Sequence, residues 1–178
     1  MEMCEDAIAC SRKAQEIFLK IDDWIALSWT YMVFGIAYKV KKEWNRAEDS
    51  FQRALDVIAD MNTPFYLAQI HYEYGCMLFE KALAHLAEIQ NETELHQAGE
   101  GPAGRLHSNS STEFKEMNKQ IEERAKITMV RIEKIIDDSK RNLTKSMELF
   151  ETLGANLHIQ KVLKKLEEIS SVLKRNSN

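Results

Sequence analysis

The chain has 178 residues, of which 44% are hydrophobic and 29% charged, with a formal net charge of -4. That balance is too apolar for wholesale disorder and too weakly charged to single out nucleic acid or an anionic membrane as a partner. Only two prolines and six glycines are present, and four of these eight fall between Gly99 and Gly104, so long stretches lack helix breakers and an all-α fold is predicted.

The opening segment MEMCEDAIACSRK is acidic and has no long apolar core, so it does not read as a signal peptide. No apolar run approaches the roughly 18 residues needed to span a bilayer. A cytoplasmic protein without membrane contact is expected. Cys4, Cys10 and Cys76 lack zinc or redox spacing and read as reduced, buried, small apolar residues. Residues 3–21 read as the second helix of a helix pair whose first helix is missing, which implies a piece of a longer repeat protein.

Residues 24–41 and 44–61 form a helical pair across a short turn at Lys42 and Glu43, making 24–61 one complete unit. Thr63-Pro64 is a helix start, with Thr as cap and Pro in the first turn. From Phe65 to Ile89 apolar residues step by three and four, the period of an amphipathic helix. Residues 91–112 have the polar, Gly-rich composition of a flexible loop. Beyond them Phe114, Met117, Ile121, Ile132, Ile135, Leu143, Phe150 and Leu153 keep the helical spacing without a breaker, predicting one helix of about 40 residues. Its front half is expected to fold back on the end of the 65–89 helix as a hairpin. Gly154 closes that helix, and 155–175 make a last amphipathic helix that caps the stack.

Self-comparison gives the strongest signal in the chain. Ala7, Ser11, Ala14, Ile17 and Ile21 recur 40 residues later as Ala47, Phe51, Ala54, Val57 and Met61, and Gly35 recurs at the same interval as Gly75. A third copy, Ser139, Leu143, Ser146, Leu149 and Leu153, follows the second after 92 residues. The unit spanning 65–153 is therefore a repeat carrying a long insertion. A glycine inside a helix costs about 1 kcal/mol relative to alanine. Its recurrence marks a place where something bulky packs against the backbone.

Tyr31, Phe34, Gly35 and Tyr38, followed by Ala47, Phe51 and Ala54, match the large-x2-large-Gly-x2-Tyr and Ala-x3-Phe-x2-Ala pattern of the tetratricopeptide repeat. The sequence resembles that family in a variety with a 40-residue period. His71, Tyr74, Gly75 and Leu78 give a weaker second match, and Ala59 stands where the usual closing proline would be. The resemblance implies one domain over 1–178, built from antiparallel helix pairs stacked in a right-handed superhelix, with the extended hairpin and the C-terminal capping helix added. It also implies a concave groove, lined mainly by first helices, that binds a partner peptide or helix. The corresponding positions here are Trp29, Met32, Ile36 and Lys39 in one unit, and Gln69, Tyr72, Cys76 and Phe79 in the next. Met32 and Ile36 stand where some relatives place residues that clamp a chaperone's terminal carboxylate, which disfavours that ligand.

Catalytic and cofactor chemistry finds no foothold in the sequence. The histidines make no metal-binding pattern, GEGPAG lacks the lysine and context of a phosphate loop, and no histidine is placed to activate a cysteine. The expected role is therefore non-enzymatic and cofactor-free: a scaffold or regulatory module that binds a protein partner. Self-association is the alternative. RNA binding through KVKKEW, residues 39–44, is disfavoured because the first 112 residues carry a net charge of -7.

Overall fold

Six helices make up the computed structural model, which describes residues 2–97 and 111–176. They are α1 (Glu2–Lys20), α2 (Trp24–Val40), α3 (Trp44–Ile58), α4 (Pro64–Gln97), α5 (Ser111–Thr152) and α6 (Asn156–Asn176), and no strand occurs among the described residues. The chain divides into two compact units, one formed by Met1–Phe79 with Asp137–Asn178 and the other by Glu80–Ile136. Each of the long helices α4 and α5 therefore contributes residues to both.

The first unit is organised around positions that the repeat singles out. Ala47, Phe51, Ala54 and Ile58 of α3 are fully buried, as are Ile70 and Met77 of α4, Leu143 of α5, and Val162 and Ile169 of α6. Burying each of the larger of these side chains, Phe51, Ile58, Ile70, Met77, Leu143, Val162 and Ile169, contributes about 1.5–3 kcal/mol. Gly35 of α2 faces Phe51 so closely that a Cβ there would stand 2.8 Å from the ring. Gly75 of α4 meets Leu143 at the same 2.8 Å. The pairs 35/51 and 75/143 are the same positions in successive copies, so one packing device is used twice: absence of a side chain lets a large neighbour approach the helix backbone.

Hydroxyl groups fasten the same interfaces. Ser28 Oγ donates to the Ala54 carbonyl at 2.8 Å. In the next copy the equivalent pair is Ala68 and Ser146, and Ser146 Oγ donates to the Ala68 carbonyl at 2.8 Å. The small hydroxyl residue has moved to the opposite helix while the link between the two positions is kept. Ser139, which replaces Ala47, adds a bond of 2.7 Å to the Gly75 carbonyl.

Three turns close alike. Asp22, Lys42 and Gly154 take φ of 53°, 58° and 64°, and the next residue donates five positions back: Asp23 to Phe18, Glu43 to Tyr38 and Ala155 to Phe150, at 3.1, 3.0 and 2.9 Å. This left-handed closure satisfies helix carbonyls that would otherwise be orphaned. Asp23 then caps α2, its Oδ1 accepting from the Ala26 amide at 3.0 Å.

In the second unit Ala82, Ile132 and Ile136 are buried, while Ile127 and Val130 are exposed.

Several boundaries differ from those the sequence predicts. Residues 91–97 and 111–112 are helical; the stretch NETELHQ is polar but rich in good helix formers, and polarity does not break a helix. Residues 98–110, with GEGPAG and His107, lie outside the described residues, as do the side chains of His96, Phe114 and Met117. Helix α3 stops at Ile58 instead of residue 61, and its C-cap Ala59 still has helical backbone angles. Pro64 does open α4, but Thr63 does not cap it with its side chain: its hydroxyl is buried and has no hydrogen-bond partner among the described residues. Cys10 is exposed instead of buried, because α1 turns a different face, carrying Ile8 and Ser11, inward.

Candidate functional site

A line of aromatic contacts runs across four helices of the first unit. Trp29 of α2 meets Tyr66 of α4 edge-on at 5.7 Å. Its neighbour Phe65 packs edge-on against Phe150 of α5 at 5.9 Å and His158 of α6 at 5.5 Å. His158 in turn stacks on Phe150 at 4.7 Å. Such pairs favour edge-on or offset rings and add to the gain from burial alone. They bring α6 onto the side of α4 that carries Gln69 and Tyr72.

The result is a cleft of about 410 Å³. Helix α4 supplies Gln69, Tyr72 and Glu73 to it, and α5 supplies Phe150. Helix α6 supplies His158, Lys161, Lys164, Lys165 and Glu168. Lys165 bonds Glu168 at 2.6 Å and lies 5.9 Å from the centre of the Phe79 ring. Lys161 and Lys164 are exposed, and among the described residues no carboxylate pairs with either. Burial, with Cys76 as a further contributor, holds the Tyr72 phenol well above its ordinary range. Burial likewise pushes the Cys76 thiol up to about 11. Both groups are therefore neutral near pH 7, and the lysines and glutamates bring charge to the cleft.

The eight residues expected to line a groove separate into three groups. Gln69 and Tyr72 do line the cleft. Trp29 is 39% exposed, and Ile36 and Lys39 are half-buried. Met32, Cys76 and Phe79 are 4%, 6% and 4% exposed, so they are packing residues and offer no surface to a partner. For Phe79 the physical reason is the overlying Lys165 side chain of α6. The polar contribution of α6 is what sequence reasoning missed. His158, Lys161, Lys165 and Glu168 follow a three-four-three spacing beside buried Val162 and Ile169, and that spacing is the available signal.

The basic segment 39–44 is not a free patch. Lys41 pairs with Glu5 at 2.6 Å and with Glu43 at 2.9 Å, and these hydrogen bonds raise its pKa. Among the described residues no group of three or more His, Cys, Asp or Glu side chains is placed to hold a metal ion. No described helix is long and apolar enough to cross a membrane. No family model matches the chain, and no curated protein or solved structure matches it either.

Proposed function

We propose that the chain is a non-enzymatic protein-interaction module of the tetratricopeptide kind, its helix pairs stacked in a right-handed superhelix, and that it binds an acidic, aromatic-bearing segment of a partner in the cleft between α4 and α6. One observation carries the binding reading: Lys161 and Lys164, without a carboxylate partner among the described residues, flank a cleft walled by Tyr72, Phe150 and His158. Aromatic anchors in pockets and complementary charge at the rim are the usual ingredients of peptide recognition. The double use of the Gly35–Phe51 contact supports the repeat part of the reading.

Panning a random peptide library against the native chain tests it. Enriched peptides are expected to combine acidic residues with an aromatic anchor and to lose binding at least tenfold on Lys161→Glu/Lys164→Glu. Peptides without a shared motif, or unaffected by the double variant, overturn it.

Self-association is a second reading, favoured by Ile17, Ile21 and Trp24, which are exposed around the α1–α2 turn. A mass by light scattering that rises with concentration, and stays monomeric in Ile17→Glu/Ile21→Glu, is its signature.

A further inference from the structure

On the opposite sequence half from α6, arginines gather in an otherwise acidic stretch. Of the four arginines in the first 112 residues, Arg12, Arg46 and Arg53 line one cleft of about 250 Å³ in the first unit. Its wall is aromatic: Tyr31, Phe34 and Tyr38 of α2. Phe34 and Tyr38 lie nearly parallel, 6.3 Å apart. Asp49 is the one carboxylate on the lining, so the lining residues carry a net charge of +2 in a half of the chain whose net charge is -7.

The arginines differ in how they are held. Arg46 is fixed by three contacts: Nη1 bonds Glu43, Nη2 donates to the Tyr38 hydroxyl at 2.6 Å, and the guanidinium carbon lies 4.0 Å from the Tyr38 ring centre. Arg53 pairs with Asp49 at 3.2 Å on the exposed surface, a contact weak enough for an incoming anion to displace. Arg12, projecting from α1, pairs with no carboxylate among the described residues. Beside it, Gln15 Nε2 donates to the Tyr31 hydroxyl at 2.9 Å, which orients that phenol. One guanidinium is thus pre-positioned and two are available, and each is a planar fork of donors matched to phosphate oxygens.

We infer that this cleft between α1, α2 and α3 is a binding site for a phosphate monoester dianion whose ester group rests against the aromatic wall. Size limits the ligand. The volume falls just below the range of about 300–1,000 Å³ typical of small-molecule sites, which suits one phosphorylated side chain or a small free ester and excludes a dinucleotide. Two or three guanidiniums around one dianion is the arrangement by which phosphorylated side chains are recognised. The site is separate from the cleft between α4 and α6 and does not depend on the function proposed for it.

Isothermal titration of the full chain with phenyl phosphate, phosphoserine amide and inorganic phosphate tests the site. Phenyl phosphate is expected to bind, and Arg12→Ala/Arg53→Ala to weaken it at least tenfold. Both arginines are exposed, so circular dichroism should show an unchanged fold. Arg131→Ala on α5 and Lys161→Glu/Lys164→Glu are expected to leave affinity within twofold. Tighter binding of either ester than of inorganic phosphate supports the monoester site, whereas inorganic phosphate binding as tightly as both esters overturns the contact with the aromatic wall. No binding at millimolar probe, or binding that survives the double arginine variant or is lost with the lysines instead, overturns it.

Discussion

Gly35 and Phe51 are in contact because residue 35 has no side chain: the ring atoms of Phe51 stand 2.8 to 2.9 Å from where a Cβ would be. Phe51 has no room to withdraw, since it is fully buried and stacks on Tyr74 at 5.5 Å. An alanine gains up to about 1 kcal/mol in helix propensity, but overpacking costs about 1–3 kcal/mol. Gly35→Ala is therefore expected to lower stability by about 1 kcal/mol in urea unfolding. Gly75→Ala should cost at least as much, because its Cβ would also meet the Ser139 backbone carbonyl at 3.1 Å. A stabilised variant at either position would mean that the interface yields.

Ser139 and Ser146 are completely buried and donate to carbonyls of α4. In the preceding copy their places are held by Ala47 and Ala54, so alanine fits the space. Each Ser→Ala substitution removes one interhelical bond without opening a large cavity and is expected to cost about 0.5–1.5 kcal/mol. Ser146→Val, which adds volume where the helices touch, should cost more. The comparison is made by denaturant midpoints at constant slope.

His71 supplies a pH dependence. Burial lowers its pKa first of all, the hydrogen bond with Asn142 at 2.8 Å works against that, and the Lys145 charge lowers it further. The folded state therefore takes up a proton less readily than the unfolded chain does. Stability is fully present above the unfolded value near 6.5 and is lost as pH falls through the lower folded value. His71→Gln, which keeps an amide partner for Asn142, should flatten the decline between pH 7.5 and 5 in unfolding curves. An unchanged decline in the variant would place the proton uptake elsewhere.

The three thiols should react in a fixed order. Cys10 is exposed, Cys4 intermediate and Cys76 buried, with burial holding the Cys76 thiol near 11. Only the thiolate is nucleophilic, so alkylation at pH 8 followed by peptide mapping is expected to label Cys10 first, Cys4 next and Cys76 last. Unfolding in urea should bring the three rates together.

The parts of the fold that were readable in the sequence are those set by local period and by repetition. The three-four spacing marked every helix, and the echo of Gly35 in Gly75 pointed to close packing at both. Contacts between segments far apart were not readable. Nothing in LHIQKVLKKLEEI says which surface α6 lies on; in the structure Val162 and Ile169 are buried and His158 packs on the Phe65 and Phe150 rings. For that reason the repeat pattern puts Gln69 and Tyr72 on a groove but gives no sign of the lysines beside them, and it gives no sign that Lys165 lies over Phe79. The arginine cleft is not legible in the sequence for a similar cause: Arg12, Arg46 and Arg53 are scattered along the chain, and only the packing of α1 beside α2 and α3 brings them onto one lining.

The paired serine links described above differ in one respect that bears on how the chain reaches its native state. Ser28 and Ala54 are 26 residues apart, whereas Ala68 and Ser146 are 78 apart. Tripling the span of a flexible chain adds about 1 kcal/mol to the entropy of bringing its ends together, and nearby contacts form sooner than distant ones. The α2–α3 pair is therefore expected to form first. The interface between α4 and α5 is expected to close later. Substitutions at Ser28 should slow refolding, and those at Ser146 should mainly speed unfolding.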